Sequence, residues 1–247
     1  MFNFFCDKKS REGDCYFIAG SDYNHIKNVL RMNIGDTFLV SNGENSDLCQ
    51  IKSLENETVV AEIIEENYQN TNLPIKIYLF QGLPKADKME LIIQKAVELG
   101  VYEIIPTEME NCVVKLEEKK KASKVTRWQA IAESAAKQSK RNSIPTVSQV
   151  LSYKEVLKKA NELDILLVPY ENEEGMTATK EALLKIKRGM SVGIIIGPEG
   201  GFSEREITLA KSQNGNIISL GKRILRTETA AITAVSMCML YSEMNLE

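Results

Sequence analysis

The spacing of apolar positions divides the chain near residue 72. Before that point, short apolar or alternating stretches at Cys15–Ile18, Thr37–Val40, Leu48–Ser53 and Thr58–Ile64 read as strands. Gly35-Asp36, Asn42-Gly43 and Glu55-Asn56 supply turns between them. One short helix is predicted over Asp22–Leu30, and the set suggests a small β-barrel. The polar segment Glu65–Asn72, ending before Pro74, reads as a linker. From Ile75 the period changes. Strands at Ile75–Phe80, Tyr102–Ile105, Asp164–Val168, Val192–Ile196 and Ile217–Leu220 alternate with helices. The helices fall at Lys85–Leu99, capped by Gly100, at about Lys119–Ser139, from Ser152 to Ala160, at Thr177–Lys187, from Ser203 to near Gly215, and from Thr227 to Met244. Ser152 with Glu155, and Ser203 with Glu206, are capping-box pairs. Strands alternating with helices imply an α/β domain whose parallel sheet is covered on both faces.

Composition narrows the class. With 247 residues, 43% hydrophobic and 26% charged, the chain can bury a full core as one large domain or two smaller ones. The N-terminus lacks the basic and apolar regions of a secretory signal, and no apolar run is long enough to span a bilayer. Five cysteines (6, 15, 49, 112 and 238) form no C-x-x-C pair and no zinc spacing, so no metal is expected and a reducing cytoplasm fits. A net charge of −3 excludes a uniformly basic nucleic-acid coat but leaves room for a local basic face. Lys119–Lys121 with Lys124 and Arg127, then Lys137, Lys140 and Arg141, then Lys222, Arg223 and Arg226 could contribute to one.

Two glycine-punctuated loops carry the chemistry. Gly197-Pro198-Glu199-Gly200-Gly201-Phe202-Ser203 follows a buried strand and leads into a helix. Leu220-Gly221-Lys222-Arg223-Ile224-Leu225-Arg226-Thr227-Glu228-Thr229-Ala230 does the same. Neighbouring strand-to-helix loops make a backbone-lined site at the carboxyl edge of a parallel sheet. A helix start there favours anions, yet the phosphate-loop lysine is missing and G-x-x-G-G is not the dinucleotide spacing.

These residues resemble the RsmE family of bacterial small-subunit rRNA uridine N3-methyltransferases, in the SPOUT superfamily. The resemblance extends to Gln81–Lys85, Lys88-Met89-Glu90, Gln94–Val101, Trp128, Ala135–Arg141 with Ile144-Pro145, His25–Arg31 and Gly35-Asp36. It implies a SPOUT-type parallel sheet with a C-terminal trefoil knot over residues 73–247, preceded by a PUA-like RNA-binding β-barrel over residues 1–72. It further implies S-adenosylmethionine as cofactor, a homodimer, and 16S rRNA in the 30S subunit as partner, with uridine 1498 as the family's target.

On that resemblance, Ile196, Gly197, Gly200, Gly201, Leu220, Gly221, Ile224, Leu225 and Thr229 are expected at the cofactor site, joined by Pro169, Tyr170 and Glu171 from a third loop. Arg226 is the leading catalytic candidate, to offset charge developing on the uracil oxygens, with Glu199 and Glu228 as alternatives. His25, Arg31, Lys137, Arg141, Lys222 and Arg223 are expected to face RNA. One stretch departs from the family: Asn111 stands where its pattern has arginine, so that arginine's task must pass to another residue. The alternatives are a non-catalytic RNA-binding ribosome-assembly protein, or a methyltransferase of the same fold acting on another RNA.

Overall fold

Mostly antiparallel pairing organises the N-terminal part of the chain. In the computed structural model, which describes residues 1–173 and 175–246, six strands form one sheet: β1 (Asn3–Phe5), β2 (Arg11–Glu12), β3 (Cys15–Ala19), β4 (Thr37–Ser41), β5 (Ser46–Glu55) and β6 (Thr58–Gln69). Their order is β1-β4-β5-β6-β3-β2, and only β1 with β4 is parallel. Register shifts between β5 and β6 mark bulges, which tighten the twist and curl the sheet. Tyr16, Ile18, Phe38, Val40, Ile51 and Val59 fill its core.

Two expectations change here. Glu65–Gln69, read as linker, is the end of β6: its backbone pairs with Ser46 and Leu48 despite polar side chains. The helix expected over Asp22–Leu30 is α1 (Gly20–Asn24) followed by one π-helical turn, His25–Val29, closed by Leu30 N–H on His25 O at 2.9 Å.

The chain forms two units. Met1–Asn72 is joined by Ala136–Ile144, and Leu73–Ala135 by Pro145–Glu247. Division at residue 72 alone misses the 136–144 segment. Asn142 explains its place: the side-chain amide donates to Ser46 Oγ at 2.7 Å and Gln69 O at 2.8 Å, and accepts from Thr71 Oγ1 at 2.7 Å. Asn3 Nδ2 and Ser41 Oγ donate to the Arg141 carbonyl at 3.0 and 3.1 Å. Buried polar groups are stable only when paired, and these pairs lie about seventy or more positions apart in sequence.

The second unit holds β7 (Lys76–Gly82), α2 (Lys88–Glu98), β8 (Glu103–Glu108), α3 (Glu118–Gln138), β9 (Thr146–Val147), β10 (Leu151–Ser152), α4 (Tyr153–Ala160), β11 (Ile165–Pro169), α5 (Thr177–Leu184), β12 (Ser191–Ile196), α6 (Glu204–Ser212), β13 (Asn216–Ile218) and α7 (Thr227–Leu246). The last turn of α3 contributes to the first unit. The sheet runs β10-β8-β7-β12-β11-β13, with β9 on β8, all parallel. Buried Val192–Ile196 places β12 at the centre, between β7 and β11. α2 buries Met89, Ile92, Ile93, Ala96 and Val97 at helical spacing, and α7 packs on it and on β7 and β12. Both capping boxes form as expected. No helix among the described residues is long and apolar enough to cross a membrane.

Candidate functional site

Parallel strands deliver their loops to one edge. Pro169 pairs with Ile218, and Ile196 with Gln81, so the loops after β11, β12 and β13 leave the sheet together. There the loops after β11 and β13, with α7, bound a cavity of about 570 Å3. Its wall comprises Pro169, Tyr170, Glu171, Glu173, Gly175 and Met176 from the loop after β11, Ser219–Leu225 after β13, and Ala230 of α7. The expected cofactor residues Pro169, Tyr170, Glu171, Leu220, Gly221, Ile224 and Leu225 therefore line one space. Lys222 and Arg223, expected to face RNA, line it too, and both are exposed.

The remaining expected cofactor residues, Ile196, Gly197, Gly200, Gly201 and Thr229, are not among those lining the cavity. The glycine loop instead backs its wall. Gly201 has φ +67°, and a Cβ on it would lie 2.9 Å from Glu171 Oε1, so glycine satisfies both the backbone and the carboxylate beside it. Phe202 packs edge-on against Tyr170, with ring centroids 6.4 Å apart.

Thr227, Gln81 and Asn111, given no role from the sequence, help to hold this loop. Gly201 N–H donates to Pro198 O at 2.9 Å, closing a turn. Thr227 Oγ1 donates to Gly197 O at 2.7 Å and accepts from the fully buried Gln81 Nε2 at 2.9 Å. Asn111 Nδ2 donates to Gly200 O at 3.1 Å and Gly201 O at 3.4 Å, so this asparagine braces the loop. Glu206 accepts from Ser203 N–H at 2.9 Å and from Glu110 N–H at 2.9 Å, fixing the start of α6 to the neighbouring turn. Gln81 and Thr227 lie in stretches that carried the resemblance, and that membership is the only sequence signal for such roles.

The catalytic candidates separate. Lys88 Nζ lies 2.9 Å from Glu199 and 3.4 Å from Glu228, and Lys85 N–H donates to Glu199 at 3.0 Å. Burial alone would raise the Glu199 pKa; the hydrogen bonds from Lys88 and the Lys85 amide outweigh it and hold the carboxyl below its ordinary value. Arg226 is exposed immediately before α7.

In the first unit, His25 is exposed and meets Phe4 edge-on at 6.1 Å, and Arg31 is exposed at φ +53°. Lys137 is paired with Asp22 at 3.1 Å. Arg141 corrects the expectation of a surface cation: it is buried, and burial lowers its guanidinium pKa to about 10. A basic side chain reads as surface in sequence, but the Asn3, Ser41 and Asn142 pairing draws this segment inward.

An RNA methyltransferase domain model matches residues 71–239, and an RNA methyltransferase PUA domain model matches residues 18–64. The chain is 39% identical over 237 residues to ribosomal RNA small subunit methyltransferase E of Bacillus subtilis strain 168, covering 94% of this chain and 93% of that protein. It is 34% identical over 239 residues to the protein of the same name from Mesomycoplasma hyopneumoniae strain 232, covering 97% and 99%. A crystal structure of a ribosomal RNA small subunit methyltransferase E from Neisseria gonorrhoeae, bound to S-adenosyl methionine, superposes with TM-score 0.82 at 30% identity, covering 97% of each chain.

Proposed function

The chain belongs to the ribosomal RNA small subunit methyltransferase E family, and from that premise we propose that it transfers a methyl group from S-adenosylmethionine to N3 of a uridine in small-subunit rRNA. The observation that carries this reading is the cavity of about 570 Å3 at the carboxyl edge of the parallel sheet. Its residues suit that cofactor. Leu220, Ile224 and Leu225 offer apolar surface to an adenine ring, the loop backbones offer hydrogen bonds, and charged side chains stand at the rim.

When bound, the cofactor supplies an electrophilic methyl on a sulfonium. The chain's task is to hold acceptor and donor in line and to manage the uridine proton. Uridine N3 becomes a good nucleophile only as its proton leaves, so a cation near O2 or O4 favours the reaction. We assign that role to Arg226, which is exposed and directly follows the cavity-lining Leu225. Glu199 and Glu228 act as the charge partners of Lys88. A carboxyl already held below its ordinary pKa is a weak proton acceptor.

The first unit supplies the RNA grip, with His25 and Arg31 on its exposed surface. Lys222 and Arg223, at the cavity rim, serve either the cofactor carboxylate or an RNA phosphate. A homodimer and a C-terminal trefoil knot belong to the same reading; the Thr227–Gly197 hydrogen bond joins the two loops such a knot would bring together. The test is transfer of labelled methyl to 30S subunits and to naked rRNA from cells lacking the enzyme, followed by nucleoside analysis. N3-methyluridine in the 30S reaction supports the proposal. Incorporation at another atom or into another RNA would overturn the target, and no incorporation into any RNA would favour an RNA-binding assembly protein.

A further inference from the structure

Four charged side chains line the cavity among the described residues: Glu171, Glu173, Lys222 and Arg223. They divide by loop, with the carboxylates after β11 and the cations after β13. The carboxylates sit on a turn closed by Glu173 N–H on Tyr170 O at 3.1 Å. Glu171 is the one seated against the neighbouring loop, with Oε1 in the space that a Cβ on Gly201 would take. This side chain thus lies at the junction of two loops while still lining the cavity.

On the cofactor reading above, the charges can be matched. S-adenosylmethionine carries two positive groups, an α-ammonium and a sulfonium, and one carboxylate. Two carboxylates in the wall correspond to the two positive groups, and a rim cation to the carboxylate. Transfer breaks the methyl carbon–sulfur bond with both electrons remaining on sulfur. The methyl joins the acceptor nitrogen as that nitrogen's proton departs to solvent. The sulfur is then a neutral thioether, and one wall carboxylate has lost its partner.

We infer that Glu171 reads the sulfonium charge, so that this site distinguishes the loaded cofactor from its spent product and loosens its hold once the methyl has gone. Glu173 is left to the α-ammonium, which both species carry. Glu171 is exposed, so salt screens its contribution, and the expected discrimination is roughly fivefold.

Titration calorimetry on the full chain tests this with three ligands: S-adenosylmethionine, S-adenosylhomocysteine, and the analogue bearing an amine in place of the methyl sulfonium. Glu171→Gln keeps the side-chain shape and removes its charge. It should weaken both ligands that are cationic at this centre by about fivefold and leave the thioether unchanged, with the difference shrinking at high salt. Glu173→Gln should weaken all three alike. Equal weakening of all three ligands by Glu171→Gln, or no change in any, would overturn the assignment. Failure of the unaltered chain to bind any of them would overturn the cofactor reading beneath it, and this inference with it.

Discussion

The two glycine-bearing loops of the catalytic unit look alike in sequence and are built differently. Gly197–Ser203 is braced along its length. Thr227 holds the Gly197 carbonyl, Asn111 holds those of Gly200 and Gly201, Lys88 and the Lys85 amide hold Glu199, and Glu206 caps at Ser203. Leu220–Arg226 is anchored near its ends, by Thr179 on the Ser219 backbone at 2.7 and 3.1 Å and by Ala230 N–H on Arg226 O at 2.8 Å. Between them Lys222, Arg223 and Ile224 are exposed, Ile224 at 89%. An exposed isoleucine on a cavity wall has apolar surface still to bury, which suits a segment that closes on a ligand. The first loop is a fixed support and the second a ligand-facing wall, a division that lets a rigid scaffold place an adaptable contact.

The largest expected effect attacks the fixed loop. Gly201→Val forces a β-branched residue to positive φ and drives its Cβ into Glu171. Cofactor affinity should fall by at least about a hundredfold, with the circular dichroism of the chain retained. Normal binding by this variant would remove the loop from the site. Next, Thr227→Val leaves the Gly197 carbonyl and the Gln81 amide short of a partner. Calorimetry should show a loss of about 1–3 kcal/mol in stability and a raised KM for the cofactor with KM for RNA unchanged; Thr227→Ser should restore both. In the second loop, Ile224→Ala should leave the melting temperature alone, since a surface change is worth within about 0.5 kcal/mol. It should still weaken cofactor binding severalfold. A drop in melting temperature instead would mean that this loop, too, is part of the folded support.

The smallest effect is in acid. Glu199 is held below its ordinary value of 4.5, so the folded chain gains stability above that pH that is lost as pH falls through the lowered value. A pH series of melting temperatures should show this loss, reduced in Glu199→Gln.

Local signals account for what could be read from the sequence. The capping boxes at Ser152 and Ser203 and the buried run Val192–Ile196 each need only a few adjacent residues, and all stand as expected. The glycine loops signalled a site at the sheet edge, and the second of them lines it. What stayed hidden depends on partners distant in the chain. β1 exists because Asn3–Phe5 pairs with Leu39–Ser41. Gln81 meets Thr227 across 146 positions, and Asn142 meets Ser46 across 96. No pattern within a segment encodes such pairs. The same reason made Arg141 look like surface and Glu65–Gln69 look like a linker.

Hydrogen exchange of the full chain, with and without S-adenosylmethionine, tests the contrast between the loops most directly. The amides of Gly201 and Ser203, which donate to Pro198 O and Glu206, should be protected in the free chain and change little. Those of residues 220–226 should exchange rapidly when free and become protected on binding. Residues 220–226 as protected in the free chain as Gly201 and Ser203, or no gain at residues 220–226 with saturating cofactor, would overturn the contrast.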